Sequence, residues 1–369
     1  MLKHIHKKYF YGLDALRGIA ALLVVFNHVP EIIKGASISS FNSNLGFLAV
    51  QGENAVTFFF VLSGFLITYL ILEEEKNKGS ISIKKFYLRR VLRIWPVYYL
   101  MTFVGFLGSS YLNQIFYEFP SDAFNSSSFT YYLFLLPNIP ISFPAIAGPS
   151  NPLAFQSWSI GVEEQFYLFW PWIFILIRSN KFRLIALATI YLGLPAIKIS
   201  PNIFTDVEFL QVLKRYFVFA RFDNMALGGI LGYLVYFNAI KIKKSIQVVS
   251  HIILASFMIF IIELPMHLET MVYPILWCVL IYSIINSTQK NSFLEGRVMK
   301  YLGSISYGVY MYHVVAIYLV QVIINRLNIL SSDNVIVINI LSVIFTIIIS
   351  AISYELMEKK FLKLKKTFS

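Results

Sequence analysis

Residues Tyr9 to Pro30 read Y-F-Y-G-L-D-A-L-R-G-I-A-A-L-L-V-V-F-N-H-V-P. From Leu13 to Ile33 the run is long and apolar enough to cross a bilayer, yet Asp14, Arg17 and His28 lie inside it. An aspartate or arginine at the centre of a membrane helix costs about 2.5–3.5 kcal/mol on insertion scales, so such residues face a protein interior or a wet cavity. Arg17 and His28 are eleven residues apart. At 100° per residue they fall within about 20° of one face and about 16 Å apart in depth. One polar stripe therefore links two depths of the membrane.

The rest of the chain agrees with a membrane origin. Of 369 residues, 57% are hydrophobic, 17% aromatic and 14% charged, with a mean hydropathy of +0.68; soluble domains carry roughly 25% charge. The lone cysteine, Cys278, excludes an intramolecular disulfide and argues against a thiolate metal cluster. No H-E-x-x-H, aspartate-rich run or Walker loop occurs, so no metal site is expected. The formal charge of +12 lies in short blocks beside apolar runs, which points to membrane topology and not to nucleic acid. Lys3, Lys7 and Lys8 resemble the start of a signal peptide, but the following run is too long, is charged and lacks a small-x-small cleavage site.

Apolar runs fall near 13–33, 55–72, 94–112, 163–178, 182–200, 217–237, 246–263, 271–286, 305–325 and 335–356. The expected fold is an all-α integral membrane protein of about ten transmembrane helices, both termini cytoplasmic. With the N-terminus inside, the outer connections hold only Lys34, Lys198, Lys214, Arg215 and Arg326 of the 31 Lys and Arg. The whole chain, 1–369, reads as one polytopic membrane domain with no appended soluble domain. Lys359, Lys360, Lys363, Lys365 and Lys366 read as a basic anchor on the inner leaflet. The extracytoplasmic loop 113–162 has no lysine or arginine, and a loop of about fifty residues in a compact protein is usually functional.

Several stretches can carry chemistry. Ile81–Trp95, I-S-I-K-K-F-Y-L-R-R-V-L-R-I-W, is amphipathic; Arg90 and Arg93 share a helical face and suit either a polyanion or lipid head groups. Phe58–Phe65, F-F-F-V-L-S-G-F, places Ser63 and Gly64 where helix packing is the default reading. In Ser157–Tyr167, S-W-S-I-G-V-E-E-Q-F-Y, only one of Glu163 and Glu164 can point squarely into a bundle; Glu163 suits an imidazole, a sugar hydroxyl or interfacial water. Arg221, before Gly228 and Gly232, is either a snorkelling arginine or a lid over an acceptor, and the glycines suit close packing. Ser306–His313, S-Y-G-V-Y-M-Y-H, puts Tyr310 beside His313, a histidine either catalytic or structural. Asp14 and Arg17 form an i,i+3 pair that can simply neutralise itself.

Together these motifs resemble the acyltransferase-3 family of bacterial membrane O-acyltransferases, which modify cell-surface sugars. The matching stretches are G-L-D-A-L-R-G with His28, F-F-F-V-L-S-G-F, R-R-V-L-R-I-W-P, W-S-I-G-V-E-E-Q-F-Y and S-Y-G-V-Y-M-Y-H, in the family's order. The resemblance implies a multi-pass protein of the bacterial cytoplasmic (inner) membrane with acetyl-CoA as acyl donor, held from the cytoplasm by Arg90 and Arg93. The implied acceptor is a hydroxyl of a cell-surface glycan or lipid-linked saccharide, such as O-antigen, capsule or exopolysaccharide. A pantetheine arm of about 15–20 Å would carry the thioester into the membrane. His28 is then the expected general base, with Glu163 orienting the imidazole or the acceptor, Arg17 or Tyr310 stabilising an oxyanion, and Asp14, Arg221 and His313 as further candidate acceptor or oxyanion contacts. An acetyl-histidine intermediate is the covalent alternative. The competing reading is a polysaccharide or lipid-linked sugar transporter, in which the buried charges mark a pathway; a noncatalytic scaffold is a third.

Overall fold

The computed structural model describes residues 10–32, 51–115, 126–199, 208–260, 266–287, 293–327 and 335–368. Among these every regular element is helical, as the apolar periodicity predicts. The principal helices are α1 (Leu13–Ile32), α2 (Gly52–Lys78), α3 (Ile83–Ile115), α4 (Trp158–Leu176), α5 (Asn180–Ile199), α6 (Glu208–Ala220), α7 (Phe222–Tyr236), α8 (Lys244–Phe260), α9 (Met266–Ile285), α10 (Arg297–Leu327), α11 (Val335–Ser353) and α12 (Lys359–Lys365). Five segments of the described residues are long and apolar enough to cross a membrane: Leu13–Pro30, Gly52–Lys78, Ile83–Gly108, Arg297–Ile324 and Ile336–Phe368. Lys3, Lys7, Lys8, Lys34 and the 116–125 part of the long loop lie outside the described residues.

Two expectations change. The apolar run 217–237 is not one helix, because Arg221 takes left-handed backbone angles (φ 41°, ψ 31°) between α6 and α7. No glycine marks that break, so periodicity runs through it unseen. The basic stretch from Ile83 and the apolar run after Trp95 are instead one helix, α3, continuous through Pro96. Proline removes one amide donor but leaves the axis intact where neighbouring groups take over the freed carbonyl.

The chain packs as two units. The first comprises residues 1–13, 56–82 and 162–295. Its interior is a close crossing of α2 and α7: Gly64 faces the Met225 backbone, Gly228 the Val61 carbonyl and Gly232 the Phe65 carbonyl. With no Cβ between them the backbones touch, which recovers dispersion energy that lipid tails would otherwise match. Trp170 stacks on Phe166 at 4.2 Å between ring centroids and donates Nε1–H to Thr68 Oγ1 at 2.9 Å. Arg183, 3% exposed, is bidentate to Glu75 at 2.7 Å and also donates to the Ile177 and Phe174 carbonyls.

The second unit comprises residues 14–55, 83–161 and 296–369. Here α1, α10 and α11 share an apolar core of Val29, Ile317, Val320, Ile324 and Ile338. Gly18 lies against the Leu302 backbone and Gly303 against that of Asp14, so α1 and α10 meet without intervening side chains. Short helical turns from 126 to 157 pack on α3 and α10; Tyr98 and Tyr99 donate to the Tyr132 and Leu133 carbonyls at 2.8 and 3.0 Å. Between α11 and α12 the helix widens into a π-segment, Tyr354–Glu358. Ser353 Oγ, 2.7 Å from Tyr312 Oη, donates there to Glu358 at 3.2 Å.

The glycine crossing gives a direct test. Gly64→Ala and Gly228→Ala each drive a Cβ into a facing backbone and should destabilise the protein by about 1–3 kcal/mol. Gly193→Ala, with open space around its Cβ position, should be neutral or stabilising by up to about 1 kcal/mol. Thermal unfolding of the purified protein in detergent distinguishes the two classes.

Candidate active site

The second unit brings His28 of α1 and His313 of α10 together. His313 Nε2 lies 3.2 Å from His28 Nδ1, and the ring centroids are 4.9 Å apart. Each ring also meets a backbone carbonyl: His313 Nδ1 is 2.6 Å from Tyr310 O, and His28 Nδ1 is 2.9 Å from Val24 O. A carbonyl only accepts, so both Nδ1 atoms carry the proton when the rings are neutral. His313 Nε2 is then a second acceptor for the His28 Nδ1–H, and the lone pair of His28 is on Nε2. Hydrogen bonding at one imidazole nitrogen thus fixes the tautomer and the basic atom of the other.

Neighbouring groups hold this pair in place. His313 is fully buried, while His28 is half-buried and meets the Phe155 ring edge at 5.2 Å. Phe155 belongs to a 3₁₀ turn at the end of the long loop. The next residue, Gln156, donates to Met311 O at 2.7 Å, fastening that turn to α10. Tyr310 Oη donates to Gln156 O at 3.1 Å and lies 2.6 Å from Ser159 Oγ. The loop expected to be functional therefore contributes directly to the histidine environment. Asn27, beside His28, accepts the first amide of α2, from Gly52, at 3.2 Å, satisfying a helix-start donor.

Arg17 lies near the other end of α1. It donates to Asp14 at 3.1 Å, with side chains 18% and 28% exposed, as the i,i+3 spacing predicts. Its position eleven residues from His28 separates the two Cα atoms by about 16 Å along the axis, and helical side chains lean toward the N-terminus. Arg17, Arg89, Arg90 and Arg93 all bring positive charge to bear on Lys365, which gathers them into one basic region. Arg90 lies over the Phe86 ring at 5.7 Å, and Arg93 acts on the buried Glu358.

Glu163 and Arg221 belong to the first unit. Glu163 Oε1 accepts from Ser63 Oγ at 2.5 Å, so Ser63 has a polar role beyond helix packing. Arg221 donates to Thr57 Oγ1 at 3.1 Å, and Gln165 accepts from Tyr216 at 2.6 Å. Close by in sequence, Asp223 binds Lys198 at 2.7 and 2.9 Å, with side chains 0% and 5% exposed. Lys198, expected in an outer connection, is instead one half of a buried ion pair that helical periodicity does not announce. The signal available was the pair of ionisable residues at the ends of two apolar runs, since a buried charge in a membrane protein demands a partner.

A family model described as an acyltransferase domain matches residues 10–355. "Putative peptidoglycan O-acetyltransferase YrhL" of Bacillus subtilis is 27% identical over 379 residues, covering 96% of this chain and 55% of its own. "Peptidoglycan O-acetyltransferase OatA" of Listeria monocytogenes is 33% identical over 170 residues, covering 45% of this chain and 24% of its own. "Putative O-acetyltransferase SACOL0978" of Staphylococcus aureus is 27% identical over 333 residues, covering 84% and 51%. The chain thus spans about half the length of two of these relatives and about a quarter of the third. No solved structure matches it. With the match running from the start of α1 into the π-segment, the chain belongs to the acyltransferase-3 family.

Proposed function

We propose that the chain is the membrane core of an O-acetyltransferase of the bacterial cytoplasmic membrane. It takes acetyl from cytoplasmic acetyl-coenzyme A and delivers it to a hydroxyl of a glycan outside the membrane, with peptidoglycan as the favoured acceptor. The ten-helix topology with both termini inside belongs to this proposal. The acceptor class is carried over from relatives bearing the name peptidoglycan O-acetyltransferase. The observation that carries the chemistry is the carbonyl-held imidazole pair, whose tautomers leave a lone pair on His28 Nε2.

The basic region fits a donor bearing several phosphates: forked guanidiniums on Arg17, Arg90 and Arg93 match phosphate oxygens. We assign Arg17 there and not to an oxyanion, because it is about 16 Å along α1 from His28. That spacing is within the reach of a pantetheine arm. When bound, the donor supplies a thioester carbonyl and a sulfur leaving group. His28 Nε2 removes the proton from the sugar hydroxyl as its oxygen bonds to the carbonyl carbon. The carbon–sulfur bond breaks, and the imidazolium returns the proton to sulfur, giving an ester and a thiol. While His28 is charged, Val24 O and His313 Nε2 accept its Nδ1–H and stabilise the cation. His313 is thus a positioning residue. In the first unit, Glu163, bonded to Ser63, and Arg221, bonded to Thr57, are polar groups of the kind that suit sugar hydroxyls.

Glycan ester content in cells lacking the native protein tests the reading. Wild type should restore O-acetyl groups, and His28→Ala at equal membrane abundance should lower the rate by at least about 100-fold; equal restoration by both would remove His28 as base. His313→Gln, which keeps a polar group but not the paired imidazole, should lower kcat about tenfold with KM for acetyl-coenzyme A unchanged. A rise in KM alone would move His313 from positioning the base to binding the donor.

A further inference from the structure

We propose that Lys365, on the C-terminal helix α12, is a phosphate ligand of the donor nucleotide. The proposal deepens the donor assignment above and rests on it. Five lysines close the chain: Lys359, Lys360, Lys363, Lys365 and Lys366. An inner-leaflet anchor needs all of them at the surface, and Lys359, Lys360, Lys363 and Lys366 are exposed. Lys365 instead is half-buried, on a helix that packs against α3.

The inward position is built and not incidental. Arg89 of α3 donates to the Phe368 carbonyl at 3.0 Å, tying the end of the chain to the arginine-bearing helix. Phe368 is three residues beyond Lys365, so the tether lies within one helical turn of the lysine. The groups acting on Lys365 are Arg93, Arg90, Arg17 and Arg89, all of its own sign. Among the described residues, two carboxylates bear on these groups: Asp14, bonded to Arg17, and Glu358, which accepts from Ser353 and feels Arg93. Glu355 is occupied outside with Lys359 at 2.7 Å. Among the described residues named here, five cations outnumber two carboxylates, a balance that favours the approach of a multiply charged anion.

The chemistry of the side chains indicates which anion. Guanidiniums grip phosphate oxygens in pairs, whereas a lysine ammonium is a compact point charge at the end of a flexible stem. A nucleotide carrying a diphosphate and a separate phosphate monoester presents both kinds of target. Anionic lipid head groups share the phosphate chemistry, so the membrane composition must be varied in the test.

Coenzyme A is titrated into the full chain in phosphatidylcholine nanodiscs, with wild type, Lys365→Gln, Lys365→Arg and Lys366→Gln compared at matched thermal stability. Lys365→Gln should weaken binding about tenfold, Lys365→Arg should recover most of that loss, and Lys366→Gln should stay within about twofold of wild type. Equal affinities for Lys365→Gln and Lys366→Gln would overturn the proposal while leaving the donor assignment standing. A loss appearing only when phosphatidylglycerol is added would give Lys365 to lipid and also overturn it. Failure of wild type to bind coenzyme A would overturn the donor assignment itself, and this inference with it.

Discussion

Two backbone carbonyls, those of Val24 and Tyr310, determine which nitrogen of each imidazole carries a proton, and the second unit is arranged so that this geometry persists. A histidine in an apolar interior has two equivalent tautomers unless something fixed distinguishes them. Here the fixed objects are helix carbonyls, four residues back from His28 and three back from His313 along the same helices, which move only if α1 or α10 unwinds. Bare glycine backbone between those helices sets their separation, and the Val29–Ile317 core below it resists rotation. The 3₁₀ turn carrying Phe155 and Gln156 completes the enclosure. Packing, hydrogen bonding and chemistry are therefore one constraint in this region.

Much of this was legible before any coordinates. Polar residues on an apolar helix advertise a protein-facing stripe, and the glycine spacing of α7 advertises a close helix crossing without naming its partner, because both signals are local and follow the helical period. The family resemblance carried the order of the motifs and placed His28, Arg90 and Arg93 on a short list. What stayed hidden was partnership across long stretches of chain. Nothing in F-F-F-V-L-S-G-F indicates that Ser63 will bind Glu163, a hundred residues away, or that Lys198 will find Asp223. Nor does periodicity report a left-handed residue such as Arg221, whose side chain is unremarkable in a helix and whose backbone is not.

Charge is distributed along α1 with the same economy. Its first turn holds an ion pair and belongs to a basic region; its last turns hold an imidazole among apolar residues and aromatic edges. About 16 Å along the helix axis separates the two environments. A phosphate-rich group and a reacting carbonyl have opposite needs in this respect, and the proposed donor contains both.

The π-segment at Tyr354–Glu358 sets the rotational phase of everything after it. A π-turn amounts to one residue inserted into an α-helix, and each residue advances the helix by about 100°. Without the insertion α12 would emerge turned by that angle, and a different residue of its lysine-rich sequence would face α3. The same composition of charge would then be an ordinary basic tail. Which lysine points inward is thus a matter of register, encoded by a single extra residue several positions upstream and invisible to any count of charges.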